Sequence, residues 1–199
     1  MHRRALLAAA CAAVFTFAGM AGASARTINT YKDWNGTDYV YPFGCADTTT
    51  YGQLITAPSN NMLKKFSFWW ANVQGGNSGS MVVRGEVYAW DGSEATGSAL
   101  WESKPKKISY SDSAFHKVTF KTGALPLTPG AQYVMFASIA KDYEKCTNDY
   151  ELVWGDVDDT SYSGGTFVYQ NNGGDESQWT TVPWTTTYGK DAAFIAAVK

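Results

Sequence analysis

Histidine is nearly missing from this chain of 199 residues, which has two in all. One is His2, so a single histidine, His116, remains beyond the N-terminal region. A Ser-His-Asp triad needs a histidine as general base, and the chain also lacks a G-x-S-x-G motif around a nucleophilic serine. His116 lies in "AFHKVTF", among residues typical of a strand, and we interpret it as structural. A zinc hydrolase needs several His or Cys ligands, and the chain has too few.

Long apolar runs are also absent, except at the start of the chain. The basic "MHRR" precedes the apolar "ALLAAACAAVFTFAGMAG", and "ASA" follows at Ala23 to Ala25. This order predicts a signal peptide over residues 1–25 with cleavage before Arg26. A transmembrane span needs about 20 strongly apolar residues, and this run is diluted by alanine and glycine. We therefore expect secretion to the extracellular space, with the periplasm as the alternative, and no membrane anchor after cleavage.

The chain has no block of basic residues. Without Arg3 and Arg4, residues 26–199 carry 14 basic and 18 acidic side chains, a net charge of −4. Nucleic acids and anionic membranes are poor partners for such a surface. The length of this region suits one domain with a sizeable core.

Cysteine is scarce as well, since only Cys45 and Cys146 lie beyond the predicted signal peptide. In an oxidising compartment two such cysteines most often pair, and we predict a disulfide between them. The alternative is metal ligation by both cysteines and a histidine. No C-x-x-C spacing is present to favour it.

A 3.6-residue apolar period is absent, whereas Thr, Tyr, Trp, Val and Phe are frequent and glycine interrupts the chain. This composition predicts an all-β protein: an antiparallel, jelly-roll-like β-sandwich of about nine strands, with residues 26–50 as an irregular leading segment. The candidate strands begin at Gly52, Leu63, Ser80, Ser98, Phe115, Ala131, Tyr150, Gly165 and Asp191. In "LTPGAQYVMF", Tyr133 fits a tyrosine corner, in which the side chain bonds back to the turn. The strand that contains it has two apolar faces, which is typical of a central strand.

Several motifs resemble those of a group of uncharacterised secreted bacterial β-sandwich proteins. They are "YAWDGSEATGSALWES", "LTPGAQYV", "SGGTFVYQNNGG" and the closing "DAAFIAAV". The resemblance covers roughly Tyr51 to Val198 and implies the sandwich fold, but no activity. Many members of that group end in a sorting anchor of the PEP-CTERM kind. This sequence stops at Lys199 after its last strand, so we expect a freely released product.

Two carboxylates could support glycoside hydrolysis, which needs an acid and a base roughly 5 to 10 Å apart. Glu86 and Glu102 lie in strand-like segments joined by "DGSEATG", and they could face each other across a hairpin. They are the weak catalytic candidates. The alternative is that both are solvated strand residues, with Glu86 paired to Arg84.

The loop "WGDVDDTSYSGG" carries carboxylates at Asp156, Asp158 and Asp159. Such spacing can wrap a hard cation, so a structural calcium ion is one hypothesis and the only cofactor we consider. No EF-hand pattern is present. The alternative is a solvated acidic loop.

Large aromatic residues lie among polar ones on two consecutive strands. Trp69 alternates with the core-facing Trp70, and Tyr88 and Trp90 share a face with Arg84. If these strands pair, Trp69, Tyr88 and Trp90 form one platform whose flat rings suit sugar rings. The alternatives are that the leading segment or a loop covers the rings, or that they serve as cross-strand pairs.

These observations favour a secreted, non-enzymatic binding or surface-associated domain whose partner is glycan or cell-envelope material. A secreted glycoside hydrolase that uses the carboxylate pair is the second hypothesis. A structural component of an extracellular matrix is the third.

Overall fold

Fourteen strands form in the part of the chain that the computed structural model describes, which is residues 26–72, 78–158, 161–186 and 189–199. The predicted signal peptide lies outside these ranges. The strands are β1 Arg26–Asn29, β2 Tyr39–Gly44, β3 Thr50–Thr56, β4 Met62–Ala71, β5 Met81–Trp90, β6 Ala95–Glu102, β7 Lys106–Ile108, β8 His116–Pro126, β9 Gln132–Ser138, β10 Glu151–Asp158, β11 Phe167–Gln170, β12 Thr185–Thr186, β13 Lys190–Ala192 and β14 Phe194–Val198. Short 3₁₀ segments span Tyr31–Asp33, Ala140–Lys145 and Glu176–Thr180.

The strands form two antiparallel sheets. The first has the order β1-β14-β4-β10-β13, with β2 beside β10 and β8 beside β4. The second has the order β12-β11-β3-β9-β5-β6, with β7 beside β5. The predicted antiparallel sandwich is confirmed, but nine strands was too few. The leading segment is also more regular than predicted, because β1 pairs with β14 and β2 pairs with β10.

The main core lies between the two sheets and is dominated by aromatic rings. Along β4, alternate residues Phe66, Phe68 and Trp70 are fully buried in it. The Phe68 and Trp154 rings lie 4.5 Å apart between centroids, which joins β4 to β10. Truncating one such side chain to alanine typically costs about 3–5 kcal/mol of stability.

A second apolar cluster covers the outer face of the second sheet. Trp179 and Trp184, from the chain after β11, pack on Phe136 with ring centroids 5.0 and 5.2 Å away. The Trp179 indole N–H donates to the Thr50 hydroxyl at 3.1 Å, so this polar atom is satisfied inside the cluster. Both faces of β9 are therefore buried, which confirms the prediction of a central strand.

The tyrosine corner is present. The Tyr133 hydroxyl accepts a hydrogen bond of 2.7 Å from the backbone N–H of Thr128, in the turn that precedes β9. Gly130 adopts a φ of 78° in this turn, where a side chain would be strained. Tyr133 is thus structural, as predicted.

The predicted disulfide joins Cys45 to Cys146, with Cα atoms 5.6 Å apart. Cys45 follows β2 of the first sheet, and Cys146 follows the 3₁₀ segment after β9 of the second sheet. The bond therefore links the two layers and is typical of a non-reducing compartment. Within the described ranges, no helix has the length and apolarity needed to cross a membrane.

Gly165 gives a test of how β11 packs on β3. A Cβ atom at Gly165 would overlap the backbone carbonyl of Leu54. The two segments are held together here, because the backbone N–H of Leu54 donates a hydrogen bond of 2.9 Å to the carbonyl oxygen of Thr166. We expect Gly165→Ala to lower the free energy of unfolding by about 1–3 kcal/mol, because backbone atoms must shift. Urea denaturation measures this, with Gly174→Ala as the control, because the nearest atom to a Cβ there is 3.5 Å away. Equal stability of the two variants would contradict the packing described.

Candidate functional site

The predicted aromatic platform does not form. It required β4 and β5 to pair, but β4 lies in the first sheet and β5 in the second. Trp69 therefore lies on the outer face of one sheet, while Tyr88 and Trp90 lie on the outer face of the other. The pairing hypothesis was wrong because an alternating pattern shows which face of a strand is buried, but not which strand lies beside it.

Tyr88 and Trp90 belong to the second apolar cluster. Tyr88 is buried and lies 5.6 Å from the Phe136 ring. Trp90 meets the ring of Trp184 edge-on at 5.8 Å. The alternative in which a loop covers these rings is the arrangement observed.

Trp69 is covered by the leading segment. The Tyr31 ring stacks on the Trp69 ring at 3.8 Å with an interplanar angle of 13°. The Lys117 ammonium lies 4.9 Å from the Trp69 ring centroid, in a cation–π contact. Next to this stack, Trp34 meets the ring of Phe115 edge-on at 4.6 Å.

These rings line an open groove of about 420 Å³, which also includes Tyr39. We call it the aromatic groove and define it by Tyr31, Trp34, Tyr39, Trp69 and Phe115. Tyr31 is 39% exposed and Tyr39 is 46% exposed, whereas Trp69 forms the floor at 7%. The groove also has polar hydroxyl groups on its lining, from a threonine and a serine.

Sequence reasoning found only one of the five groove residues, Trp69. The leading segment has no strand-like alternation, so its pattern does not indicate which of its aromatic residues are exposed. The high local density of aromatic residues is the signal that could have indicated a binding surface: "YKDWNGTDY" places three aromatics within nine residues.

The loop that carries Trp34 is held by local hydrogen bonds. The Asn35 side-chain oxygen accepts from the backbone N–H groups of Thr37 and Asp38, at 2.8 and 2.9 Å. The Trp34 indole N–H donates to Asp38 O at 2.8 Å. The Trp34 ring also lies over Gly155 of β10, where a Cβ would come within 2.8 Å of it. The loop geometry thus fixes the ring before any ligand arrives.

Glu86 and Glu102 do face each other across the β5–β6 hairpin, as predicted. Arg84 does not pair with Glu86; its guanidinium binds Glu102 and Asp142, at 2.6 and 2.7 Å. The Lys141 ammonium lies 2.6 Å from Glu102 and 3.7 Å from Glu86. The carboxylate pair is thus part of an ion-pair network on the outer face of the second sheet.

The two carboxyl groups differ in their pKa. Burial raises the pKa of Glu86 to about 7, although nearby Lys141 opposes this shift. Burial also acts on Glu102, but hydrogen bonds from Lys141 and Arg84 outweigh it and lower the pKa of that carboxyl. Glu86 is 0% exposed, and neither of its carboxylate oxygens has a hydrogen-bond partner among the described residues. A substrate has no access to Glu86 in this arrangement.

Asp156 and Asp158 lie at the end of strand β10 and not in a loop as predicted, and both contact a lysine of β13. The Lys190 ammonium lies 3.0 Å from the buried Asp156 and 3.4 Å from the exposed Asp158. Burial raises the pKa of Asp156, and Lys190 opposes that shift. Asp159 lies outside the described residues. Within the described ranges, no group of three or more acidic, His or Cys side chains is arranged to hold a metal ion, and the calcium site stays a prediction.

His116 packs as a strand residue. Its ring stacks on Tyr110 at 4.1 Å, and its Nε2 lies 2.7 Å from an Asp112 carboxylate oxygen. This hydrogen bond is the main cause that lowers the pKa of Asp112. Through these contacts with Tyr110 and Asp112, His116 stabilises the turn that precedes β8.

The fold and groove define this chain as a disulfide-linked, two-sheet β-sandwich with an aromatic groove on one outer face. Comparisons with family models, curated proteins and solved structures each find no match to it. The resemblance to secreted bacterial β-sandwich proteins therefore stays a prediction.

Proposed function

We propose that this chain is a secreted, non-enzymatic carbohydrate-binding domain that takes sugar rings in the aromatic groove. The observation that carries the proposal is the exposure of Tyr31 and Tyr39 in a groove with a tryptophan floor. The C–H faces of a sugar ring stack on flat aromatic rings, and sugar hydroxyls bond to nearby polar groups. The groove offers both kinds of surface.

The groove is organised in advance, which favours binding. Tyr31 is held by its stack on Trp69, and Trp34 is held by its bond to Asp38 and its contact with Phe115. A rigid site loses less conformational entropy when a ligand binds. Among the described residues, Tyr31 and Tyr39 are two of the four large hydrophobic side chains that remain exposed.

Export supports the choice of ligand. The signal-peptide pattern of residues 1–25 and the disulfide both fit a compartment outside the cytoplasm, where glycans and cell-envelope polymers are abundant. The hydrolase hypothesis needs a substrate to reach Glu86, which is fully buried. The matrix hypothesis expects no exposed aromatic strip. Carbohydrate binding is the function that agrees with the exposed groove.

Removing the exposed groove rings is expected to weaken binding. We expect Tyr31→Ala and Tyr39→Ala each to lower affinity for a retained polysaccharide by about 2- to 10-fold, because one stacking contact is lost in each. A glycan array and pull-down on insoluble polysaccharides identify the ligand, and titration of the variants measures the loss.

Leu100→Ala is the matched control. Leu100 is 44% exposed but lies on β6 of the second sheet, away from the groove. The affinity of Leu100→Ala should equal that of the unmodified protein. Leu100→Ala and Tyr39→Ala should keep the melting temperature within a few degrees, whereas Tyr31→Ala should lower it, because its ring stacks on Trp69. Unchanged affinity in both tyrosine variants, or no retention of the unmodified protein on any glycan, would refute the proposal.

A further inference from the structure

The outer face of the β4–β8 pair forms a short ladder next to the aromatic groove. Residues directly opposite each other on the two strands are Trp69 and Lys117, Ser67 and Thr119, and Lys65 and Lys121. Lys117 and Lys121 are four residues apart on one strand face, so the ladder is about 13 Å long. It begins at the groove floor and ends at a pair of lysines.

The pairing of Lys65 with Lys121 is unfavourable by itself. Like charges placed directly opposite each other on neighbouring strands destabilise a sheet. Both side chains are exposed, so water and salt screen part of the repulsion. An anion bound between them would attract both ammonium groups and so offset their mutual repulsion.

More lysines gather beyond that pair. A groove of about 420 Å³ at the open edge between the sheets is lined by Lys104, Lys106 and Lys121. Lys106 is held across the edge, with its ammonium 5.6 Å from the Phe120 ring. Glu102 also lines this groove, but its carboxylate binds Arg84 and Lys141. The negative charge of Glu102 is therefore already compensated.

We call these five residues the lysine strip: Lys65, Lys104, Lys106, Lys117 and Lys121. All five are exposed. Across the described chain, none of them lies within salt-bridge distance of a carboxylate. The strip is thus a concentrated positive surface on a protein whose residues 26–199 carry more acidic than basic side chains.

We propose that the lysine strip binds the carboxylate or sulfate groups of an acidic polysaccharide whose sugar rings enter the aromatic groove. Lys117 connects the two surfaces, because its ammonium lies 4.9 Å from the Trp69 ring at the groove floor. The claim that sugar rings enter the aromatic groove rests on the proposed function. The claim that the lysine strip binds anionic groups rests on the positions of the lysines alone.

The neighbouring aromatic groove favours a polysaccharide over a nucleic acid. The strip continues into a groove with hydroxyl groups and stacked rings, which suits a polymer with alternating sugar faces and anionic groups.

The test compares binding of the purified full-length mature chain to alginate, heparin, neutral dextran and duplex DNA. We expect binding to alginate or heparin that weakens as salt is raised, and much weaker binding to dextran and DNA. The Lys65→Gln/Lys121→Gln variant should lose about tenfold in affinity for the acidic polymer. Its melting temperature without ligand should stay equal or rise, because the lysine–lysine repulsion is relieved.

Lys107→Gln is the control, because Lys107 is next to Lys106 on β7 and points to the opposite face of that strand. It should bind like the unmodified protein. If the glutamine pair keeps full affinity while Tyr39→Ala loses it, the lysine inference fails and the groove proposal stands. If the glutamine pair loses affinity while Tyr31→Ala and Tyr39→Ala both keep it, the groove proposal alone is refuted. Binding of DNA as tight as that of heparin would overturn the inference.

Discussion

Reduction of the Cys45–Cys146 bond is expected to lower the free energy of unfolding by about 4.7 kcal/mol. The closed loop has a sequence separation of 101, and a crosslink over about 100 residues removes this much conformational entropy from the unfolded chain. For a domain of this size the loss corresponds to a fall in melting temperature of roughly 10–20 °C. The folded state should survive at room temperature, because aromatic rings from both sheets, as well as the disulfide, form the core.

Differential scanning calorimetry with and without a strong reductant measures this effect. The Cys45→Ala/Cys146→Ala variant is the control: it should melt near the reduced protein and should not respond to the reductant. Thiol titration must show that reduction was complete. An unchanged melting temperature in fully reduced protein would contradict the entropic account of this crosslink.

Local features of the fold and the disulfide could be predicted from the sequence, whereas the distant strand pairings could not. The tyrosine corner at Tyr133 and the facing of Glu86 and Glu102 both follow from short turns that fix their neighbours. The two short strands of the leading segment have no local signal, because β1 pairs with β14 and β2 pairs with β10, both more than 100 residues further along the chain. A pattern within a short strand contains no information about a partner more than 100 residues away.

The same distinction holds for the candidate site. Trp69 was recognised from alternation along one strand, but the ring that covers it, Tyr31, comes from a different part of the chain. The lysine strip could not be predicted from the sequence, because Lys65, Lys104 and Lys121 are far apart along the chain and form no basic block. Only the pairing of β4 with β8, and the position of β7 at the open edge, bring them together.

Glu86→Gln is expected to raise the free energy of unfolding at pH 8 by about 3 kcal/mol and to leave it nearly unchanged at pH 4. The pKa of Glu86 rises from an ordinary value of 4.5 to about 7 on folding, so the folded state favours the protonated carboxyl. The stability that this preference contributes is fully present below pH 4.5 and is lost as pH rises through 7. Glutamine has a similar shape and never ionises, so the variant keeps this stability.

Glu102→Gln should behave in the opposite way, and it is the matched control on the facing strand. The pKa of Glu102 is lowered on folding because Lys141 and Arg84 hold its ionised form. Its contribution to stability is present above pH 4.5 and is lost as pH falls, so its glutamine variant should be destabilised at pH 8. Urea denaturation of both variants at pH 4 and pH 8 gives the four values needed. Destabilisation of Glu86→Gln at pH 8 would show that Lys141 stabilises the ionised Glu86 carboxylate by more than burial costs, and it would contradict the raised pKa of Glu86.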